Sequence, residues 1–126
     1  MPRKSLELMT ESMLYTLMAV QTGPRCGIEI SAHVDALTRG RVQLGPGTLY
    51  TILSKFLEVG YLREVAVEGR KRTYALTEAG KSAYEQELER LRQCLRDAAS
   101  APSFALEEGG AAHEGTDLAL APLPAL

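Results

Sequence analysis

The stretch Leu44-Gly45-Pro46-Gly47-Thr48-Leu49-Tyr50-Thr51-Ile52-Leu53-Ser54-Lys55-Phe56-Leu57-Glu58-Val59-Gly60 decides how the rest of the chain is read. Leu49, Ile52, Leu53, Phe56 and Leu57 recur at i, i+3, i+4, i+7 and i+8, which is one apolar stripe of an α-helix over residues 48–59. At about 100° per residue, the opposite side carries Thr51, Ser54, Lys55 and Glu58, flanked by Thr48 and Tyr50. Gly45-Pro46-Gly47 cannot be helix interior and marks the entry, and Gly60 marks the exit. Such a helix packs on a core along one side and offers short hydroxyls and a lysine along the other.

Two shorter helices are expected before it. Residues 10–21 carry Met13, Leu14, Leu17 and Met18 behind Thr10 as N-cap, and Gly23-Pro24 stops them. Residues 28–37 repeat Ile30, Val34 and Leu37 at helical spacing. After Gly60 the period changes. Residues 62–67 and 72–76 read as two strands, and Gly69 within Glu68-Gly69-Arg70-Lys71 suits a tight hairpin turn. Thr77-Glu78-Ala79-Gly80 then opens a last helix reaching about residue 99, whose Tyr84, Leu88, Leu91, Leu95 and Ala98 are spaced 4, 3, 4, 3 as a heptad seam. Two heptads are too few for a free coiled coil but suffice for one side of a bundle. A core of this size with few aromatics leaves the seam little to pack on, so these five residues are assigned to a homodimer contact.

The chain of 126 residues allows one domain and one core. Its net charge of -2 argues at first against nucleic acid. The average conceals two unlike parts. Up to Ser100 there are fourteen basic and twelve acidic residues; beyond it stand Glu107, Glu108, Glu114 and Asp117 with no Lys or Arg. From Arg39 to Arg72, seven basic residues face three acidic ones. Residues 100–126, rich in Ala, Leu, Gly and Pro with no sustained period, are expected to be a disordered acidic extension.

Cys26 and Cys94 are too few for a disulfide framework. The longest apolar-rich run, residues 14–20, is far shorter than a membrane span of roughly 18–20 residues, and no signal peptide opens the chain; a cytoplasmic protein is expected. His33 and Cys26 are two helical turns apart with no third ligand nearby, so no metal or cofactor is expected. Carboxylates from Glu85 to Glu89 form a charged helix face, and neither a nucleophile elbow nor a phosphate-binding loop is present; no enzyme is expected.

The order of elements defines the expected fold: mainly α with a small β-hairpin, a winged helix-turn-helix over residues 1–76 and a dimerisation helix over residues 77–99. A major groove about 12 Å wide admits one helix whose outward side chains reach base edges. On that basis Thr48, Tyr50, Thr51, Ser54 and Lys55 are expected at bases and phosphates, with the Gly47 amide facing a phosphate. Arg70, Lys71 and Arg72 of the wing lie along the backbone, and Arg3 and Lys4 reach it from the N-terminus or are frayed. Gly69 and Tyr74 complete the wing's share of the surface. Packing is the alternative for the rings of Tyr50 and Tyr74.

Leu44-Gly45-Pro46-Gly47-Thr48-Leu49-Tyr50, Gly60-Tyr61-Leu62 and the run from Gly69 to Gly80, together with the helix over residues 8–20, resemble the PadR family of bacterial transcriptional regulators across about residues 9–95. The resemblance implies a homodimeric winged-helix repressor on an inverted-repeat operator, of the short type with a single helix after the wing. Two departures stand out. Cys26-Gly27-Ile28 occupies the place of the family's frequent His-Gly-Tyr, and no Trp is present to sandwich a planar drug, although Met9, Met13, Tyr84 and Leu88 are placed to line a smaller cavity. A sequence-specific DNA-binding regulator of its own or a neighbouring operon, released by a small-molecule effector, is the leading expectation. A winged-helix protein-interaction module that does not bind DNA is the alternative.

Overall fold

The computed structural model describes residues 8–102, so Arg3, Lys4 and all but the first three residues of the expected tail lie outside the described residues. Seven elements follow in the order α1 (Glu11–Ala19), β1 (Arg25–Cys26), α2 (Gly27–Thr38), α3 (Pro46–Val59), β2 (Leu62–Glu68), β3 (Lys71–Leu76) and α4 (Glu78–Ser100). The chain divides into two compact units, residues 1–87 and 88–126. The first therefore includes the opening turns of α4 as well as the winged-helix body, and extends past the boundary at residue 76 expected from sequence.

Local chemistry sets the helix ends. Thr10 Oγ1 accepts the Met13 amide at 3.2 Å and caps α1. Ala19 ends it two residues earlier than expected, because the Val20 and Gln21 amides tighten onto Leu17 and Met18 carbonyls, three residues back. The α3 helix begins two residues before Thr48: Pro46 sits at the first helical position, where its missing amide hydrogen is no loss, and Gly45 is the N-cap. Gly60 adopts the left-handed conformation, φ 85°, that closes the helix.

The sheet has three antiparallel strands in the order β1-β3-β2, one more than the sequence pattern indicated. Arg25 pairs with Tyr74 and Cys26 with Thr73, so β3 is the central strand. Two residues are too few to show a period of two, which is why β1 escaped notice. Between β2 and β3 the register runs from Leu62 opposite Leu76 to Glu68 opposite Lys71, with Val65 as an extra residue that bulges β2.

The core of the first unit joins Leu17 of α1, Ile30 and Val34 of α2, and Leu49, Ile52, Leu53, Phe56 and Val59 of α3 to Leu62 and Tyr74 of the sheet. The expected stripe of α3 is buried except for Leu57, which is half-buried while Val59 completes the face. Thr16, which breaks the apolar run of α1 in sequence, is fully buried because its hydroxyl donates to the Ser12 carbonyl at 2.8 Å. Leu37, which recurs with Ile30 and Val34 at helical spacing, is exposed near the end of α2 while the other two are buried. Met9, Met13 and Tyr84, considered above as cavity walls, pack against the core.

Candidate nucleic-acid interface

The buried stripe of α3 turns its other side outward. Gly47, Thr48, Tyr50, Thr51 and Ser54 are exposed and Lys55 is half-buried. Tyr50 is 58% exposed, an unusual position for a ring on a helix whose inner face is fully packed. Two of these groups are already engaged. Thr51 Oγ1 donates to the Gly47 carbonyl at 3.0 Å and keeps its capacity to accept, and Lys55 Nζ stands 3.8 Å from Glu58 Oε1.

The wing follows from turn chemistry. Glu68 and Lys71 are the last pair of the ladder, and Gly69 takes φ 61° in the two-residue connection, a conformation that glycine enters without steric cost. The side chains of Arg70 and Lys71 are exposed and make no hydrogen bond or close ion pair among the described residues, with Glu29 near enough to feel the charge of Lys71. Arg72 differs from them. Its Nη1 lies 2.8 Å from Glu64 Oε2 across the strands, a bond that pushes the guanidinium pKa further up and leaves less of its charge free for a partner. Arg41, counted in the basic stretch, is likewise held by Glu11 at 3.0 Å and by the Tyr15 hydroxyl at 2.9 Å.

Tyr74 is a correction to the expected surface. At 4% exposure it belongs to the core, since β3 is the middle strand and not the outer strand of an isolated hairpin. Burial, with Glu64 adding to it, pushes its phenol pKa up and keeps the hydroxyl protonated.

Residues 26–29 at the start of α2, Tyr50 of α3, residues 70–72 of the wing, and Tyr74 line a cleft of about 570 Å³. Ile28, which reads in sequence as the first apolar residue of α2, is 82% exposed at its edge. Glu29 Oε1 accepts the Cys26 amide at 2.9 Å; that bond, with Lys71 and Arg25 nearby, holds the carboxyl below its usual range. Neither residue carried a sequence signal: an apolar residue in the first turn of a helix reads as core, and a Glu there reads as a cap.

Of the residues assigned to dimerisation, Tyr84 packs against the core of the first unit, Leu88, Leu91 and Leu95 are half-buried on α4, and Ala98 is exposed. Arg92 and Arg96 bind Glu89 at 3.5 and 2.8 Å elsewhere on the helix surface. No helix among the described residues is long and apolar enough to cross a membrane, and none of their His, Cys, Asp and Glu residues form a group able to hold a metal ion.

Comparison with known proteins places this geometry. A 77-residue stretch is 32% identical to an uncharacterised 37.1 kDa protein in a transposon of Streptomyces fradiae, covering 61% of this chain and 22% of that protein. The chain thus spans about a fifth of the length of that curated relative. Among solved structures, a transcriptional regulator from Clostridium thermocellum superposes with a TM-score of 0.63 at 22% identity, over 72% of this chain and 92% of that one. RosR of H. salinarum gives 0.60 at 21% identity over 93% and 100%. A PadR family transcription regulator from Clostridium difficile gives 0.54 at 18% identity over 68% and 94%. These likenesses share the winged-helix fold. The model of the PadR-like family of transcriptional regulators matches residues 16–86, more than half of the chain, and the chain belongs to that family.

Proposed function

We propose that this protein is a homodimeric, sequence-specific DNA-binding repressor of its own or a neighbouring operon. The observation that carries the reading is the outer face of α3, exposed at Gly47, Thr48, Tyr50, Thr51 and Ser54, together with a wing whose Arg70 and Lys71 side chains make no hydrogen bond or close ion pair among the described residues. In the proposed complex each α3 enters a major groove. Thr48, Thr51 and Ser54 reach base edges, while Tyr50 and Lys55 reach flanking bases or phosphates. Arg70 and Lys71 lie on the backbone, with Arg72 contributing less while it is held by Glu64.

The half-buried stripe of Leu88, Leu91 and Leu95 supports α4 as the dimer contact. Pairing places two α3 helices in successive grooves roughly 34–36 Å apart, which requires an inverted repeat. Repression is then occlusion of a promoter. An effector relieves it by binding better to a state that cannot engage both half-sites.

A mobility-shift titration on the DNA upstream of the protein's own coding region is the test. We expect a retarded complex containing two chains at low salt, and expect Leu91→Glu to yield monomer in sedimentation and lose that complex. If the dimeric full chain retards no such fragment, the reading fails and the interaction-module alternative replaces it.

A further inference from the structure

The connection between α2 and α3, residues 39–45, sets the direction in which α3 leaves it, and it bends sharply. Arg39 takes the left-handed conformation at φ 53°, which a residue with a Cβ enters only at a cost, and Gly40 follows at φ 81°. A turn of this kind persists where its surroundings hold it. Side chains of α2 supply part of the hold. The Thr38 hydroxyl accepts the Val42 amide at 3.0 Å, the Ser31 hydroxyl donates to the Leu44 carbonyl at 3.2 Å, and Val42 and Leu44 are buried in the core.

Arg41 supplies a tie to α1. Its Nη1 donates to Glu11 Oε2 at 3.0 Å, its Nη2 donates to the Tyr15 hydroxyl at 2.9 Å, and its guanidinium carbon lies 5.8 Å from the centre of the Tyr15 ring. Glu11 and Tyr15 stand at i and i+4 on α1, so they are neighbours on one side of it, and the planar guanidinium fork spans both. These bonds reach 30 and 26 residues along the chain and join the first helix to the segment just before α3. With both side chains 59% exposed, the ion pair adds little to global stability. Its geometry is exacting and its energy small, which suits orientation better than cohesion.

We propose that Arg41 is a positioning residue for DNA recognition: clamped by Glu11 and Tyr15, it fixes the connection that aims α3 and does not itself touch DNA. The proposal rests on the DNA-binding reading. It reverses the meaning of a basic residue in the stretch from Arg39 to Arg72, whose charge would otherwise be assigned to phosphate. Base-edge contacts need side chains held to within about 0.5 Å. A slack connection therefore loses sequence discrimination, while attraction of the backbone to Arg70 and Lys71 is untouched. The two roles give opposite signs for Glu11. Were Arg41 a phosphate contact, removing Glu11 would free it and strengthen binding; as a clamp, the same change loosens α3 and weakens operator binding.

Fluorescence anisotropy of the full chain tests this, with a duplex from upstream of its own coding region and a scrambled duplex of equal length. Arg41→Ala and Glu11→Ala are each expected to lower the ratio of upstream to scrambled affinity by about five- to tenfold. Affinity for the scrambled duplex and the salt slope should stay at wild-type values, with melting temperatures lowered by no more than about 5 °C. The exchanged pair Glu11→Arg/Arg41→Glu is expected to bring the ratio back to within about threefold of wild type. A slope lowered by about 0.9 in Arg41→Ala, tighter upstream binding in Glu11→Ala, or an unchanged ratio in both would each overturn the proposal. Should Arg41→Ala fail to fold, Glu11→Ala and the exchanged pair decide alone. If the wild-type chain prefers neither duplex, the DNA-binding reading is what fails, and the clamp's role falls with it.

Discussion

Gly80 shows how one atom fixes the start of α4. A Cβ at this position would collide with the Tyr61 carbonyl oxygen and lie 2.9 Å from Leu76 Cδ1. The approach is this close because Thr77 ties the helix to the end of α3. Its amide donates to Tyr61 at 3.1 Å, its hydroxyl donates to Gly60 at 2.6 Å, and the same oxygen accepts the Gly80 amide at 3.0 Å. Gly80→Ala should therefore lower stability by about 1–3 kcal/mol, although alanine is the better helix former by about 1 kcal/mol. Urea unfolding reads the difference; a midpoint equal to or above that of the wild type would show that the backbone gives way freely. Thr77-Glu78-Ala79-Gly80 is legible in sequence as a helix start from its threonine cap. The reason for its glycine is not, because the obstructing carbonyl comes from a segment sixteen or more residues away in the chain. Tyr74 and Thr16 have the same lesson: a neighbouring strand and a backbone carbonyl decide their burial, and neither leaves a local pattern.

Among the elements, α3 was readable because its apolar spacing, its glycine exit and its outer hydroxyls all agree, and only its first turn was misplaced, where proline is compatible with a helix start. The hairpin was readable from Gly69 and the strand-forming residues around it. Missing from sequence were β1, the bulge at Val65, and the unequal standing of the three wing cations. That inequality has a consequence for binding. Each phosphate neutralised by a free cation contributes about 0.9 to the slope of log affinity against log salt. Arg70→Ala/Lys71→Ala should therefore reduce the slope by about 2, whereas Arg72→Ala should reduce it by less, because Glu64 already compensates much of that charge. Glu64→Gln should strengthen binding by releasing Arg72. Fluorescence-anisotropy titrations over a series of salt concentrations measure all three variants. A slope reduction by Arg72→Ala as large as half that of the double variant, with no gain from Glu64→Gln, would mean that the cross-strand pair dissolves on contact with DNA.

At the scale of the whole molecule, charge is the property that composition alone misrepresents. The chain carries -2, yet residues 103–126 hold four carboxylates with no Lys or Arg, so a protein ending at Pro102 would carry +2. The distribution within the first unit sharpens this further, since Arg41 and Arg72 are paired with Glu11 and Glu64 while Arg70 and Lys71 are not. The proposed DNA-binding face has few free cations, so its affinity for arbitrary duplex is expected to be sensitive to every negative charge tethered to the chain. Removing residues 103–126 should then raise affinity for a non-operator duplex at low salt. The gain should shrink as salt rises toward 0.15 M, where the screening length falls to about 8 Å and tethered carboxylates cease to act at a distance. Affinity for an operator should change less, since the contacts proposed for α3 do not involve the tail. The measurement is anisotropy of a labelled random duplex with full-length and truncated protein at two salt concentrations. If truncation leaves low-salt affinity for the random duplex unchanged, the tail's charge has no influence on the binding face, and the modest positive charge of the body alone sets nonspecific binding.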